Sequence, residues 1–87
     1  MKFKKKPVVI EAIQYDGSKE SCREMKRVFG KKFQNCLYFA ESGNMYISTL
    51  EGKMLVDIGN WVIKGVKGEF YSCKSDIFEM TYDKAEE

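Results

Sequence analysis

The sequence predicts an α+β domain in which one amphipathic helix packs on a bent antiparallel sheet of five to six strands. Two observations lead to this class. Residues 19–29 repeat apolar side chains at helical spacing, and residues 35–82 consist almost entirely of short β-like segments separated by turns. A chain of 87 residues can enclose one hydrophobic core, which predicts a single domain over residues 1–87. The C-terminal half is expected to form an SH3-like partial barrel.

Residues 7–15, "PVVIEAIQY", predict the first strand, because β-branched residues combine here with apolar side chains at both parities. Apolar residues on both faces are typical of a strand that is covered on both sides. One face would carry Val8, Ile10 and Ala12, and the other Val9, Ile13 and Tyr15.

Residues 19–29 predict the helix. Ser18 is a candidate N-cap, Glu20 lies in the first turn, where the helix dipole favours a carboxylate, and Gly30 is a natural C-terminal stop. The apolar residues at helical spacing are Cys22, Met25, Val28 and Phe29, and the polar face carries Lys19, Arg23, Lys26 and Arg27. We expect this helix to cover one face of the sheet.

Short β segments follow one another from residue 35: "NCLYFA", "MYISTL", "KMLVDI", "WVIK" and "EFYSC". Because the turns between them are short, the sequence predicts an antiparallel meander. Gly59 and Asn60 predict a two-residue hairpin turn, since both tolerate positive φ. Ser75 is expected to cap one short helical turn before a final strand at 78–82, in which Phe78, Met80 and Tyr82 alternate with polar residues.

The two ends are expected to be extensions of the domain. Residues 1–6 form a basic arm, whose lysines would blunt the edge of the first strand, and residues 83–87 form a frayed tail. The formal net charge of the whole chain is only +2, so long-range attraction to nucleic acid or to an anionic membrane is modest. Without a long apolar run or a secretion signal, a soluble cytoplasmic protein is predicted.

The side chains present exclude most catalytic chemistry. Histidine is absent, which removes serine–histidine and cysteine–histidine catalysis and the commonest metal ligand. The three cysteines are widely spaced and predict reduced core residues, although Cys73, beside Lys74, is also a candidate for a thiol of lowered pKa. Candidate carboxylates are scattered singly along the chain. We therefore predict no enzymatic activity, no metal site and no cofactor.

Aromatic and basic residues are the features that suggest binding. The candidate binding residues are Trp61, Lys64, Lys67, Tyr71 and Lys74. Phe70, Tyr38, Tyr46 and Lys53 belong to the same alternation, which is typical of single-strand nucleic-acid binders but equally of rings that fill a core. Trp61 itself is expected to be largely buried, on the same side of its strand as Ile63.

Two segments resemble a known family. "KKPVVIEAIQYDG" near the N-terminus and "IGNWVIKGVKGEFYSCKSDIFEMTY" near the C-terminus resemble the PGDYG family of small phage and prophage proteins of Gram-positive bacteria. The family's motif of proline, glycine, aspartate and an aromatic residue stands here as Ile58, Gly59, Asn60 and Trp61. The resemblance implies a phage or prophage setting and no catalytic residue.

Three functions remain open at this point. The first is a non-enzymatic phage or prophage accessory protein that binds a host or phage macromolecule, in the cytoplasm of the bacterial host. The second is a protein that sequesters a small anionic ligand, such as a nucleotide, between subunits, with Lys64, Lys67 or Arg23 near aromatic rings. The third, which the low net charge disfavours, is a single-stranded nucleic-acid binder. A symmetric dimer is also predicted, because one helix cannot cover all the apolar strand faces.

Overall fold

A computed structural model describes residues 1–3 and 9–82 of the chain. In these residues the elements follow in the order β1 (Glu11–Gln14), α1 (Lys19–Phe29), α2 (Lys31–Cys36), β2 (Leu37–Phe39), β3 (Met45–Thr49), β4 (Gly52–Val56), β5 (Trp61–Lys64), β6 (Phe70–Cys73) and α3 (Ser75–Thr81). The predicted α+β class with antiparallel strands is confirmed.

The strands form two three-stranded sheets instead of one bent sheet, with strand orders β1-β5-β6 and β2-β3-β4. The chain crosses from one sheet to the other between β4 and β5. The predicted hairpin turn at Gly59 and Asn60 is therefore wrong. The Gly59 N–H donates to the Tyr15 carbonyl at 2.6 Å, and the Tyr15 N–H donates to the Asn60 carbonyl at 2.8 Å, so this segment extends the pairing with β1. Gly59 has a φ of 96°, whereas Asn60 does not need a positive φ.

The core lies between helix α1 and the inner faces of the two sheets. Its fully buried large side chains include Phe33, Met25, Met45, Ile47, Val56 and Val62. Three phenyl rings meet at its centre: Phe29, Phe33 and Phe70 lie with their centroids 5.3 to 5.4 Å apart in pairs. Such tilted ring pairs add to the free energy that burial alone contributes.

Helix α1 has the predicted bounds. The Ser18 hydroxyl accepts a hydrogen bond from the Ser21 N–H at 3.1 Å, and the Gly30 N–H donates to the Lys26 carbonyl at 3.0 Å. Cys22, Met25 and Phe29 are buried, as their spacing suggests, but Val28 is 37% exposed. Each residue rotates by about 100° around a helix axis, and this step carries Val28 out of the buried stripe.

Helix α2 replaces the predicted start of a strand at Asn35 and Cys36. It begins directly after Gly30, whose φ of 81° turns the chain, and it buries Phe33 completely. Strand β2 is consequently short, with Leu37–Phe39 only. A single buried side chain in six residues leaves no periodicity by which the sequence could indicate this helix.

The predicted final strand at 78–82 is wrong, because Phe78 belongs to helix α3 and Tyr82 is the residue that ends it. Phe78 and Tyr82 are four residues apart, which satisfies a strand period of two and a helical i,i+4 contact alike. Their ring centroids are 5.0 Å apart, while Met80, which would share their face in a strand, is 87% exposed. Ser75 does not cap this helix: the N-cap is Lys74, without a side-chain hydrogen bond.

The first strand is shorter than predicted, and Val9 is 83% exposed, so coverage on both faces does not extend to that residue. Pro7 and Val8 lie outside the described residues, as do residues 4–6 of the basic arm and the whole predicted tail, 83–87. In the described part of the chain, no helix combines the length and the apolar character that a membrane crossing requires.

Candidate functional site

The structure does not bring the five predicted binding residues onto one face. Trp61 pairs with Cys73 and Tyr71 pairs with Ile63 across the β5–β6 hairpin, so the side chains of Trp61 and Tyr71 share the outer face of sheet β1-β5-β6. Lys64 belongs to the opposite face by strand alternation. Lys67 is exposed in the hairpin turn, and Lys74 is exposed where α3 begins.

Trp61 lies in a group of side chains between the outer face of this sheet and helix α3. Its ring stacks on that of Phe78 with a centroid distance of 4.3 Å and an interplanar angle of 9°. Ile63, on the same face, is fully buried, whereas Trp61 is half-buried. We call this group the Trp61 cluster, and its members are Trp61, Ile63, Tyr71, Phe78 and Tyr82.

One polar atom of the Trp61 cluster has no partner. The Trp61 Nε1–H is buried, and no acceptor for it exists in the described residues. A buried donor without an acceptor typically costs about 1 to 3 kcal/mol. The packing of the Trp61 ring must therefore offset the cost of its buried N–H group.

Two groups near α3, the Tyr71 phenol and the Cys73 thiol, have raised pKa values. Burial first, and then the neighbouring Tyr82 hydroxyl, raise the pKa of Tyr71 to about 12. Burial, followed by the charge of Asp76, raises the pKa of the Cys73 thiol. A reactive cysteine needs a lowered pKa, so the alternative of an activated Cys73 thiolate is wrong in direction. All three cysteines are free thiols, with Cys22 buried and Cys36 and Cys73 half-buried.

The outer face of the other sheet, β2-β3-β4, is exposed over part of its area, and Tyr46 on its central strand is half-buried. Tyr38, Tyr46 and Leu55 stand opposite one another across the three strands, and Ser48 stands opposite Lys53. The alternate residues Met45, Ile47 and Val56 are buried in the core, which places the first set on the outside. Tyr38 is 45% exposed and Leu55 39%. We call this surface the open face, and its members are Tyr38, Tyr46, Ser48, Lys53 and Leu55.

The open face has a defined internal arrangement. The rings of Tyr38 and Tyr46 have centroids 6.2 Å apart and are tilted by 54°. The Lys53 ammonium lies 3.9 Å from the centroid of the Tyr38 ring, which is a cation–π contact. The open face therefore carries two aromatic rings, one leucine and one cation next to one another.

Sequence reasoning assigned Tyr38, Tyr46 and Lys53 to the general aromatic and basic alternation but did not select them as a site. The usable signal was strand periodicity. If the apolar residues at 45, 47 and 56 are in the core, then residues 46 and 55 must point outward. Which of the two faces was buried could not be known before the two sheets were placed.

A second feature is a cleft of about 330 Å³ beside helix α1, which we call the basic cleft. It is lined by Lys19, Arg23 and Lys26 from α1, by Gly17 and Ser18 before the helix, and by Tyr15, Cys22 and Phe39. Burial is the main cause that raises the pKa of the Cys22 thiol, so this group remains neutral. Of the residues predicted to contact an anionic ligand, Arg23 alone lines this cleft.

Asp16 carries a carboxylate close to the basic cleft. It accepts hydrogen bonds from the backbone N–H of Ser18 at 2.8 Å and from the Ser18 hydroxyl. These bonds, with that of the hydroxyl first, lower the pKa of Asp16. In the part of the chain that the structure describes, no group of three or more cysteine or carboxylate side chains is arranged to hold a metal ion.

Comparisons of the chain with protein-family models, with curated proteins and with solved structures found no match. The resemblance to the PGDYG family and the SH3-like partial barrel therefore stay predictions.

Proposed function

We propose that this chain is a non-enzymatic binding protein whose open face contacts a second protein. The observation that supports this is the row of two tyrosines and a leucine side by side across three paired strands, in which Tyr38 and Leu55 are exposed and Tyr46 is half-buried. Protein interfaces are rich in tyrosine and poor in charge at their centres, and the open face has this composition. The partner surface would be apolar, with a carboxylate opposite Lys53.

The resemblance to small phage and prophage proteins gives the proposal a setting. An accessory protein of this kind would act in the cytoplasm of the bacterial host, by occupying a surface of a host or phage protein. The absence of histidine from the sequence and the raised pKa values of Cys22 and Cys73 support a role without catalysis.

A single-stranded nucleic acid is the second candidate for the open face, because Tyr38 and Tyr46 offer rings on which bases stack beside a lysine. The charge of the face argues against it. Lys53 is the single cation among the members of the open face, and its ammonium already lies over the Tyr38 ring. Phosphate contacts supply most of the affinity in such complexes, and one lysine supplies little.

A second copy of the chain is the other competing occupant, since the predicted dimer would also need to hide an apolar surface. A two-fold axis through the open face would bring two copies of Lys53 onto the same interface, where neither copy offers a carboxylate among the members of that face. A different protein with complementary charge avoids this repulsion.

The test is site-specific photo-crosslinking in Gram-positive cells, with the photoreactive residue at Leu55 in one variant and at Glu79 in the control. Glu79 is exposed on α3, away from the open face. We expect one bacterial or phage protein to be captured from position 55 and not from position 79, and the adduct to disappear when Lys53→Glu is added. Sedimentation of the purified chain should give the mass of one copy at all concentrations.

Two outcomes would overturn the proposal. Capture of a second copy only, with a sedimenting mass of two chains, would establish the homodimer as the occupant. Binding of a single-stranded oligonucleotide that weakens steeply with salt and is lost in Tyr38→Ser would establish the nucleic acid. Equal capture from positions 55 and 79 would show that the open face is not selective, and would equally contradict the proposal.

A further inference from the structure

The basic cleft lies on a different part of the molecule from the open face. Its aromatic wall includes Phe39, which stands opposite the buried Met45 and so belongs to the inner register of sheet β2-β3-β4. Its cations come from helix α1, which contributes nothing to the open face. The cleft is therefore a second candidate site, separate from the open face.

Three cations of α1 converge on the cleft. Lys19, Arg23 and Lys26 are separated by four and three residues, which places them within a sector of about 60° on the helix surface. All three side chains are exposed. Among the described residues, the ion pair joins Arg27 to Glu24, outside this sector, and no described carboxylate lies within ion-pairing distance of Lys19, Arg23 or Lys26.

This arrangement is unfavourable for the helix by itself. Lys19 is the first residue of α1, where the helix dipole disfavours a cation. Lys19 and Arg23 are also like charges at the i,i+4 spacing, which destabilises a helix. A bound anion would offset both effects.

Two backbone N–H groups at the start of α1 are already engaged and are not available to an anion. The Ser21 N–H already donates to the Ser18 hydroxyl, and the Ser18 N–H donates to Asp16. The Asp16 carboxylate repels an anion at that end of the cleft. Binding would therefore centre on Arg23 and Lys26, with Lys19 at the rim.

The aromatic wall selects the rest of the ligand. Tyr15 is buried, with 8% of its surface exposed, whereas Phe39 is 48% exposed and presents a ring next to the cations. A volume of about 330 Å³ lies at the lower end of the range of small-ligand sites. A planar ring with a phosphate attached satisfies the ring and the cations together.

We propose that the basic cleft binds a free nucleoside diphosphate, with Arg23, Lys26 and Lys19 on its phosphates and its base against Phe39. This site is independent of the partner proposed for the open face. The ligand is held between elements of one subunit, so a pocket between subunits is not required.

The test is titration calorimetry of the purified full chain with ADP, GDP, CDP and UDP, and with pyrophosphate and the nucleosides as separate probes. At least one nucleoside diphosphate should bind more tightly than pyrophosphate and than its own nucleoside. Arg23→Gln should weaken that binding about tenfold or more, because a charge-assisted contact is lost. Lys31→Gln, an exposed lysine of α2 outside the cleft, is the matched control and should leave binding unchanged.

Two more variants separate the roles of the residues. Phe39→Ala should weaken the nucleoside diphosphate and leave pyrophosphate unchanged. Lys19→Glu should raise the melting temperature of the free protein, because it replaces an unfavourable charge at the helix start, and should lower the affinity for the ligand. A folding defect would lower the melting temperature, so it cannot explain a loss of affinity that accompanies a higher melting temperature.

Three results would overturn the proposal. The first is no binding by any of the four nucleoside diphosphates at millimolar concentration. The second is binding that Arg23→Gln and Lys31→Gln change equally. The third is a single-stranded oligonucleotide that binds more tightly than every free nucleotide and is displaced by none, which would identify a nucleic acid as the ligand of the cleft.

Discussion

The outer faces of the two sheets differ in what covers them. In sheet β1-β5-β6 the outer face lies under α3, where Trp61 stacks on Phe78 and Ile63 is fully buried. In sheet β2-β3-β4 the outer face carries Tyr38, Tyr46 and Leu55, and no element of the described residues 9–82 covers it. Both faces are aromatic, so composition does not distinguish structural rings from rings that are free to bind.

Helix α3 therefore decides the role of the aromatic residues on β5 and β6. Without it, Trp61 and Tyr71 would form a second exposed aromatic surface. With α3 in place, both residues belong to a small core between this seven-residue helix and sheet β1-β5-β6. Substitutions of covered rings should therefore lower the free energy of unfolding more than substitutions of open rings.

The largest effect is expected for Trp61→Ala. It removes the stacked ring from the covered face and leaves a void between the sheet and α3. Large-to-small substitutions of buried aromatic residues cost about 3 to 5 kcal/mol, and a half-buried ring belongs at the lower end, at about 3 kcal/mol. Urea unfolding would measure it. A change in the free energy of unfolding below about 1 kcal/mol would show that α3 does not hold this face.

A smaller effect is expected for Trp61→Phe. This variant keeps an aromatic ring against Phe78 and removes the buried Nε1–H that has no acceptor. Lost ring area and the removal of an unsatisfied donor oppose each other, so stability should stay within about 1 kcal/mol of the wild type. A loss equal to that of Trp61→Ala would contradict the role given to ring packing.

The covered face should also be sensitive to alkali through Tyr71. Its pKa in the folded protein is about 12, above the ordinary value of 10.0, so folding favours the neutral phenol. The stability linked to this group is fully present below pH 10 and is lost as the pH rises from 10 to 12. The free energy of unfolding of the wild type should fall over that range.

In Tyr71→Phe this fall should be reduced. It should not vanish, because burial also raises the pKa of Tyr15. An alkaline fall in Tyr71→Phe as large as that of the wild type would contradict this role of Tyr71.

The smallest effect on stability is expected on the open face. The double variant Tyr38→Ser and Leu55→Ser removes two exposed side chains from paired strands, and the free energy of unfolding should change by less than about 1 kcal/mol. Co-purification of the partner protein with the full chain should be lost in the same variant. A loss of stability comparable to that of Trp61→Ala would mean that the open face is structural and would weaken the proposed function.

The bounds of several elements followed from the sequence because their signals are local. Helix α1 is framed by Ser18 and Gly30, and both act within one turn of the helix. Strand β5 has the bounds that its β-branched residues predict. The errors at Asn60 and at Phe78 have another cause: the local pattern was compatible with two structures, and distant partners selected one.

The candidate site was predictable only in part, for the same reason. The sequence identified the aromatic and basic residues that could bind, and it placed Arg23 among the possible contacts of an anion. It favoured Trp61, Lys64, Lys67, Tyr71 and Lys74, which the structure distributes over a covered face, the opposite face of the same sheet, a turn and a helix start. Side-chain type indicated which residues could bind, but the sequence did not show which of them lie on the same surface.

The class of the fold, the position and polarity of α1, and the absence of histidine-dependent chemistry could be predicted, because they depend on residue type and on contacts within about four positions. Three features depend on contacts between distant segments: Gly59 and Asn60 pair with the end of β1, α3 covers the Trp61 face, and Tyr38 and Leu55 remain exposed. The physical reason is that each of these outcomes depends on which distant segment removes a surface from water. The backbone hydrogen bonds of a strand are made to its neighbouring strands whether its aromatic face is covered or exposed. They therefore do not decide which face is removed from water.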